Sequence, residues 1–335
     1  MKTLRMAVVF GALLMLPLCR ASGLSLFGLR WLEPERYWLT TDFEAGTTLR
    51  YRFVSHRDIA LDWDGGTAED AESVQNQSEH FEMVMALTPV DVDPFGASTI
   101  RVVCESVRMR RMGRPTMRGL TEDAVLTAQG RSFVIRVDPR GKIVDTSDLD
   151  RFIGDLGAAA FRADTSRGRI KEPDLIGDFV AGTWFLWDAI ASIQRPVAGV
   201  TVGQTWPSKL PVPTPMVMRR ARDVTYRLAD VIETEAGQVA EIDSVCSLAD
   251  SAPSSWPIPY SGRFQFSGTF GFLGGYEITS LEGHGHVRFN IDAGRLERQE
   301  QEYTLEMKAS VPPMGIQANP FITIAQTLTT ERVAE

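Results

Sequence analysis

The stretch from Asp174 to Ile193 constrains the fold more than any other part of the chain. Pro173 suits the first turn of a helix, where its missing N–H group would be unpaired in any case, and Pro196 ends the pattern. On a helix, the polar side chains of this stretch fall on one narrow stripe and the other sides are largely apolar. Such a helix must be covered on most of its surface, so the sequence predicts a buried helix gripped by antiparallel sheet.

Two other interpretations of this stretch remain open. Phe179, Trp184 and Trp187 are large apolar side chains that could contact an apolar ligand or a lipid, and they are our candidate ligand-binding residues. A membrane-spanning helix is disfavoured, because each aspartate in the run costs about 2.5–3.5 kcal/mol at the centre of a bilayer. We favour the core helix.

Two segments rich in strand patterns flank this stretch and resemble each other. In each segment a Gly-x-Thr sequence leads into a strand, a glycine-containing turn leads into a strand with a cysteine, and a later turn joins a hairpin. The matches occur in the same order: Phe43–Leu49 with Val200–Trp206, Val90–Cys104 with Val231–Cys246, and Val137–Ile143 with Ile291–Leu296. We interpret them as an internal duplication, although β proteins in general share turn chemistry.

The fold class follows from the helix and the two similar segments. Antiparallel strands with one apolar face must cover that face, and an apolar helix can supply the cover. We therefore predict a mainly β protein in which two antiparallel, curved, half-barrel-like β repeats hold a buried helix between or against them. The predicted divisions are a signal peptide at 1–21, the first repeat with a short helix at 22–170, the central helix and its connector at 171–198, and the second repeat at 199–335.

Alternation of apolar and polar residues locates the individual strands. The expected strands are Thr48–Val54, Glu79–Thr88, Thr99–Met109, Ser132–Val137, Asp223–Ala229, Val239–Leu248, Gly262–Ile278, His286–Ile291, Arg295–Leu305 and Phe321–Leu328. A short helix is expected at Thr146–Arg162, and the proline-rich Trp206–Pro215 is expected to be a rigid strap across a sheet edge.

The first residues have the pattern of a secretory signal peptide. A basic start precedes an apolar run over Met6–Leu18, and small residues precede a cleavage point after Ala21. An uncleaved anchor is one alternative. A lipoprotein acylated at Cys19 is another, although a small residue is expected where Leu18 stands. We expect an exported protein, periplasmic or extracellular, with a lipid anchor at Cys19 as the open alternative.

The charge of the mature chain limits its partners. Removing Lys2, Arg5 and Arg20, which are three positive residues, takes the formal charge from −8 to −11. Nucleic acids and anionic lipid surfaces attract basic proteins, so a chain this acidic is a poor match for either. We expect no nucleic-acid partner.

Two cysteines, Cys104 and Cys246, remain after the predicted cleavage. An exported protein can form a disulfide, so a bond between them is consistent with the sequence. Each cysteine also lies in an apolar strand pattern, which is typical of a buried free thiol. Both interpretations stay open at this point, with buried thiols favoured.

His284 and His286 are the candidate metal ligands. Two residues apart on a strand, their imidazoles would project from one face, a spacing that suits zinc. A third ligand would be needed, and sequence does not locate one. The alternative is that both histidines are ordinary solvated or core side chains. No cofactor follows from the sequence.

The sequence has no recognised catalytic motif. It lacks the G-x-S-x-G nucleophile elbow, the G-x-x-x-x-G-K phosphate loop and the H-E-x-x-H zinc-protease motif. We therefore expect a noncatalytic binding or envelope-associated protein, whose partner is an apolar small molecule or another envelope protein. A half-barrel carrier of lipids or apolar ligands, and a hydrolytic enzyme with an unrecognised site, are the alternatives.

Three short motifs resemble families of uncharacterised exported bacterial domains built from duplicated β units. They are Gly203-Gln204-Thr205-Trp206-Pro207, Asp223-Val224-Thr225-Tyr226 and Asp292-Ala293-Gly294. The resemblance extends over most of the mature chain, but its motifs are structural. It implies a duplicated β fold and export, and it implies no catalytic residues.

Overall fold

Eleven antiparallel strands form one sheet in the part of the chain that the computed structural model describes. That part comprises residues 34–63, 74–113, 124–139, 141–149, 151–152, 155–156, 193, 196–212, 220–253, 274–310 and 320–333. The strands are β1 (Leu49–Asp62), β2 (Val74–Val92), β3 (Ser98–Met112), β4 (Ser132–Val137), β5 (Ile143–Asp145), β6 (Thr205–Pro211), β7 (Ala221–Thr234), β8 (Gly237–Leu248), β9 (Gly274–Asn290), β10 (Arg295–Ser310) and β11 (Phe321–Arg332). A 3₁₀ helix occupies Ala124–Ala128. The expected mainly β, antiparallel class is confirmed.

The strands are arranged as two meanders joined in the middle of the sheet. Their order is β5-β4-β3-β2-β1-β11-β10-β9-β8-β7-β6. The first meander runs outward from β1 to β5, and the second runs inward from β6 to β11. The two meet where β1 pairs with β11, from Tyr51 opposite Arg332 to Asp62 opposite Phe321. The two predicted β units therefore share a single sheet within the compact unit Glu35–Glu335.

Equivalent turns of the two meanders use glycines in the left-handed region of φ. Gly96 between β2 and β3 has φ 85°, and Gly237 between β7 and β8 has φ 107°. A side chain at Gly237 would also collide with Asp292, whose carboxylate accepts a hydrogen bond from the backbone N–H of Gln238. The sequence similarity aligned these two turns, and they fall at corresponding places in the sheet.

One face of the sheet is buried and the other faces solvent. Along β1, alternate residues from Tyr51 through Phe53 to Ile59 and Leu61 are at most 4% exposed. The same alternation runs through β10 and β11. We call the buried side the inward face and the opposite side the outward face. The core lies against the inward face, as expected for strands with period two.

Cys104 on β3 and Cys246 on β8 are buried free thiols. Five strands separate β3 from β8 in the sheet order, so the alternative of a disulfide between them does not hold. Burial raises the pKa of the Cys104 thiol to about 12.

Several expected elements differ from the structure or lie outside it. The proline-rich segment is wrong as a strap, because Thr205–Pro211 is itself the edge strand β6, where prolines are tolerated. The short helix is seen at 147–149, 151–152 and 155–156, and Leu149 and Phe152 are buried. Nearly all of the predicted central helix lies outside the described residues. The exception is its last residue, Ile193, which is helical and fully buried. No helix among the described residues is long and apolar enough to cross a membrane.

Candidate functional site

The inward face carries a buried charge cluster on β1, β2 and β3. Arg57 and Glu79 are 2% and 3% exposed and form an ion pair directly across the two strands. Arg111 stands opposite Glu79 on β3 and pairs with the same carboxylate. Because removing one member would leave a buried charge uncompensated, this cluster fixes three strands to one another.

A polar network continues from the cluster towards the centre of the sheet. The Gln326 amide on β11 donates a 2.8 Å hydrogen bond to Ser55 Oγ on β1, and it accepts one from the Tyr303 hydroxyl on β10. The Gln301 amide donates to the Cys246 sulfur at 3.4 Å. The inward face is therefore apolar with a polar band across it, which differs from an ordinary sheet core.

Some buried polar side-chain atoms on this face have no hydrogen-bond partner. The described residues with such buried atoms include Ser98 (Oγ), Trp206 (Nε1), Ser208 (Oγ), Arg222 (Nε and Nη1), Gln299 (Oε1), Gln301 (Oε1) and Thr330 (Oγ1). By strand alternation, all of them belong to the inward face. Buried polar groups in native proteins nearly always have partners, so this concentration on one face requires a physical explanation.

Arg222 is the most unusual of these residues. Its side chain is 2% exposed, near the start of β7, with Leu210 and Leu248 directly opposite on the neighbouring strands. Among the described residues no carboxylate pairs with it, in contrast to Arg57. The hydroxyl of Ser208 and the indole N–H of Trp206 lie on the same face of adjacent β6. These three side chains, which we call the Arg222 cluster, present unsatisfied donors.

The thiol of Cys246 does not supply the missing negative charge. Burial raises its pKa, and the opposing effects of the Arg222 charge and of the Gln301 hydrogen bond are smaller. The thiol is therefore protonated and neutral near neutral pH.

The outward face holds a separate concavity of about 740 Å³. It crosses β1 and β7 to β11, and its ionisable lining side chains are His56, Asp58, Asp223, Glu282, His284 and Glu302. His284 Nε2 lies 3.7 Å from Glu302 Oε2, and Lys209 Nζ lies 2.6 Å from Asp223 Oδ1. The lining of this groove mixes polar and apolar groups, and its four carboxylates and two imidazoles make it acidic.

The structure brings only some of the predicted site residues together. His284 and His286 project from the outward face of β9, as their spacing indicated. His286 contacts Glu241 and Asp243, whereas His284 contacts Glu302. Among the described residues no group of three or more His, Cys, Asp or Glu side chains is arranged to hold a metal ion, and a metal at this pair stays a prediction. Phe179, Trp184 and Trp187 lie outside the described residues.

Sequence reasoning missed the Arg222 cluster. Trp206 was noticed as part of a structural motif, whereas Arg222 stood one residue before the predicted strand Asp223–Ala229. An arginine there reads as a surface residue, because charged side chains are seldom fully buried. Extending the alternation of Val224 and Tyr226 back by two residues would have placed Arg222 on their face.

Comparisons with known proteins give no family. No protein-family model matches the chain, and no curated protein matches it. One similar solved structure is lipovitellin, described with its lipid–protein interactions, at 11% identity and a TM-score of 0.39 over 88% of this chain. The chain spans 26% of that chain's length. Another is the outer membrane protein OprG from Pseudomonas aeruginosa, at 6% identity and a TM-score of 0.21, covering 88% of this chain and 98% of that one. Neither similarity is close enough to carry an argument about ligand or site.

Proposed function

We propose that this is an exported, noncatalytic binding protein that holds an amphipathic small molecule against the inward face of its sheet. The observation that carries the proposal is the set of buried donors and acceptors on that face that lack partners. An unsatisfied buried polar group costs about 1–3 kcal/mol, so several together would destabilise the fold appreciably. Protein atoms cover these polar atoms in the structure, so the proposal requires that the inward face open to admit a ligand with polar and apolar parts, which would then satisfy them.

The surroundings of these atoms suit the apolar part of such a ligand. Leu281, Leu305 and Ile324 are consecutive partners on β9, β10 and β11, and all are at most 2% exposed. Strands in a sheet are about 4.8 Å apart, so the face from β7 to β1 extends roughly 24 Å. A single acyl chain is about half of the ~30 Å hydrocarbon thickness of a bilayer, and therefore fits within that length.

Two features of the sequence also support this proposal. The leader pattern over residues 1–21 favours export, and binding proteins for apolar molecules are needed where such molecules must cross water. The missing catalytic motifs favour binding over chemistry.

Mass spectrometry of the purified protein tests the proposed function. The full chain, expressed with its own leader and purified without detergent, should release an amphipathic molecule in near-equimolar amount on extraction with organic solvent. Protein stripped by unfolding and refolding should have a lower thermal midpoint, and adding the extracted molecule should restore it, because a ligand of the folded state stabilises that state. An empty extract, together with an unchanged midpoint across a panel of amphipaths, would contradict the proposal.

A further inference from the structure

We infer that the Arg222 cluster binds the oxyanion head group of this ligand, so that the ligand is an anionic amphipath. The inference rests on the proposed function and names its ligand class. The shared chemistry is that of a carboxylate or a phosphate ester at the end of an aliphatic chain.

The charge balance of the inward face is the first reason. The buried charged residues in the described part of the chain are Arg57, Glu79 and Arg222. Glu79 pairs with Arg57, whereas no described acid reaches Arg222. A buried cation is strongly destabilising unless it is paired. A guanidinium remains charged at any ordinary pH, so Arg222 cannot relieve this cost by losing its proton.

The arrangement of donors is the second reason. Arg222 faces Leu210, and Ser208 faces Val224, so Ser208 is the diagonal neighbour of Arg222 across β6 and β7. Diagonal neighbours are about 7–8 Å apart at their Cα atoms, within reach of a long side chain. Trp206 is the next inward residue of β6, and its ring stacks on Tyr226 with centroids 5.7 Å apart. Arg222 and Ser208 thus offer N–H and O–H donors on one small area, and Trp206 adds an N–H donor farther along the same face.

The chemistry of these groups selects an oxyanion. Guanidinium groups form strong, charge-assisted hydrogen bonds with carboxylates and phosphates, and the Nε and Nη1 atoms of Arg222 have no partner. An indole N–H can only donate, so Trp206 also requires an acceptor from the ligand. A neutral or cationic head group would leave the charge of Arg222 unpaired.

The residues around the cluster explain why the ligand is an amphipath. Leu210 and Leu248 flank Arg222, and Val224 is the next inward residue along its strand. Water-soluble anions would lose their hydration there without filling the apolar surroundings. An attached aliphatic chain can lie along the inward face, where its burial contributes about 0.8 kcal/mol per methylene group.

Binding measurements with matched ligands and variants test the inference. The ligands are oleate, oleyl alcohol, dodecyl phosphate and inorganic phosphate, added to stripped protein and followed by calorimetry. The variants are Arg222→Gln and Arg222→Lys, with Arg227→Gln as the control, because Arg227 is an exposed arginine on the same strand. Wild-type protein should bind oleate at least about tenfold more tightly than oleyl alcohol, as expected for hydrogen bonds to a charged group.

Arg222→Gln should lower the affinity for oleate about 10- to 100-fold and should change the affinity for oleyl alcohol by no more than about threefold. The affinity of Arg222→Lys for oleate should lie between those of Arg222→Gln and the wild type. Arg227→Gln should behave as wild type. In stripped protein, Arg222→Gln should raise the thermal midpoint because it removes an unpaired buried charge, which also shows that this variant folds.

Each contrary result has a distinct meaning. Failure to bind any long-chain ligand would overturn the proposed function itself. The head-group assignment alone would be overturned by equal affinities of the wild type for oleate and oleyl alcohol. It would also be overturned if Arg222→Gln lowered the affinities for both ligands by the same factor. Inorganic phosphate binding as tightly as dodecyl phosphate would show a simple anion site and would also overturn the inference. Oleate and dodecyl phosphate compared with each other distinguish a carboxylate from a phosphate head group.

Discussion

His286 lies between two carboxylates on the outward face. Its Nε2 is 2.5 Å from Glu241 Oε2, and its Nδ1 is 3.1 Å from Asp243 Oδ1. Burial is the largest single influence on its pKa and lowers it, but the hydrogen bonds and charges of Asp243 and Glu241 together outweigh burial. The pKa of His286 is therefore raised above its ordinary value.

We predict that His286→Gln lowers the free energy of unfolding in mild acid and has little effect in alkali. A raised pKa in the folded state means that the protonated imidazole stabilises the fold. That contribution is complete below the ordinary pKa of about 6.5 and disappears as the pH rises through the pKa of the folded protein. The side chain is about half exposed, so the effect should not exceed about 1 kcal/mol. Urea unfolding at pH 5.5 and pH 9 measures it.

The control for this prediction removes the two carboxylates. In a Glu241→Gln, Asp243→Asn background, His286→Gln should have the same small effect at both pH values. A wild-type background in which His286→Gln destabilises equally at pH 5.5 and pH 9 would show that the imidazole acts through packing and not through its charge.

Individual inward residues were only partly predictable from the sequence. From Ser55 to Asp58 every residue is polar, so residue type alone does not distinguish the two faces of β1. Counting by twos from Phe53 to Ile59 does place Arg57 inward, but its partner Glu79 depends on the register of β2, which no local pattern fixes.

Strand β9 has two glycines where its neighbours have inward side chains. A Cβ at Gly283 would lie 2.6 Å from the carbonyl oxygen of Glu302 and 3.0 Å from the Cys246 sulfur. A Cβ at Gly285 would lie 2.6 Å from the carbonyl oxygen of Glu300. The neighbouring strands therefore crowd β9 so closely that only glycine fits.

We predict that Gly283→Ala destabilises the protein by about 1–3 kcal/mol, since backbone atoms of β10 must move to admit the methyl group. His284→Ala is the matched control, because it lies next to Gly283 on the outward face and should change stability by no more than about 0.5 kcal/mol. Chemical unfolding of both variants gives the comparison. Equal stabilities of the two variants would mean that the space around Gly283 can accommodate a methyl group, contrary to the short distances given above.

Turns were more predictable than strand ends at the scale of whole elements. Gly96 and Gly237 mark turns by their chemistry alone, and both are turns in the structure. Strand β2 runs over Val74–Val92, well beyond the predicted Glu79–Thr88. Its first residues are polar and show no alternation, yet they pair in register with β1, because ladder hydrogen bonds form whatever the side chains are.

The two meanders are held together by the pairing of β1 with β11. The Gln326 hydrogen bond to Ser55 crosses the same junction on the inward face. We predict that deleting residues 320–335 abolishes cooperative unfolding, because β1 and β10 would both lose a partner strand. Circular dichroism during urea unfolding would show the loss as a broad transition or an aggregated product.

Deleting an outer strand provides the control at this scale. Replacing β5 (Ile143–Asp145) by a glycine–serine linker of equal length removes one edge of the sheet and should leave a cooperative transition. A sharp, two-state transition after loss of β11 would show that each meander folds independently.

The overall strand order could be predicted only within each meander. Strands that follow one another in the chain usually pair with each other, which accounts for β1 to β5 and for β6 to β11. The pairing of β1 with β11 joins residues far apart in the chain, and no turn or motif in the sequence predicts it. The predicted central helix remains a prediction, because its large apolar residues fall outside the described part of the chain.

The junction of first and last strands also sets the order of events when the chain is made. Roughly 260 residues separate Asp62 from Phe321, and ribosomes add about 5–20 residues each second, so β1 is complete some 13–50 s before its partner β11 begins to appear. During that interval the edge of β1 that later pairs with β11 is exposed, and it can pair with a strand of another molecule. The nascent protein should therefore depend on chaperones until β11 emerges.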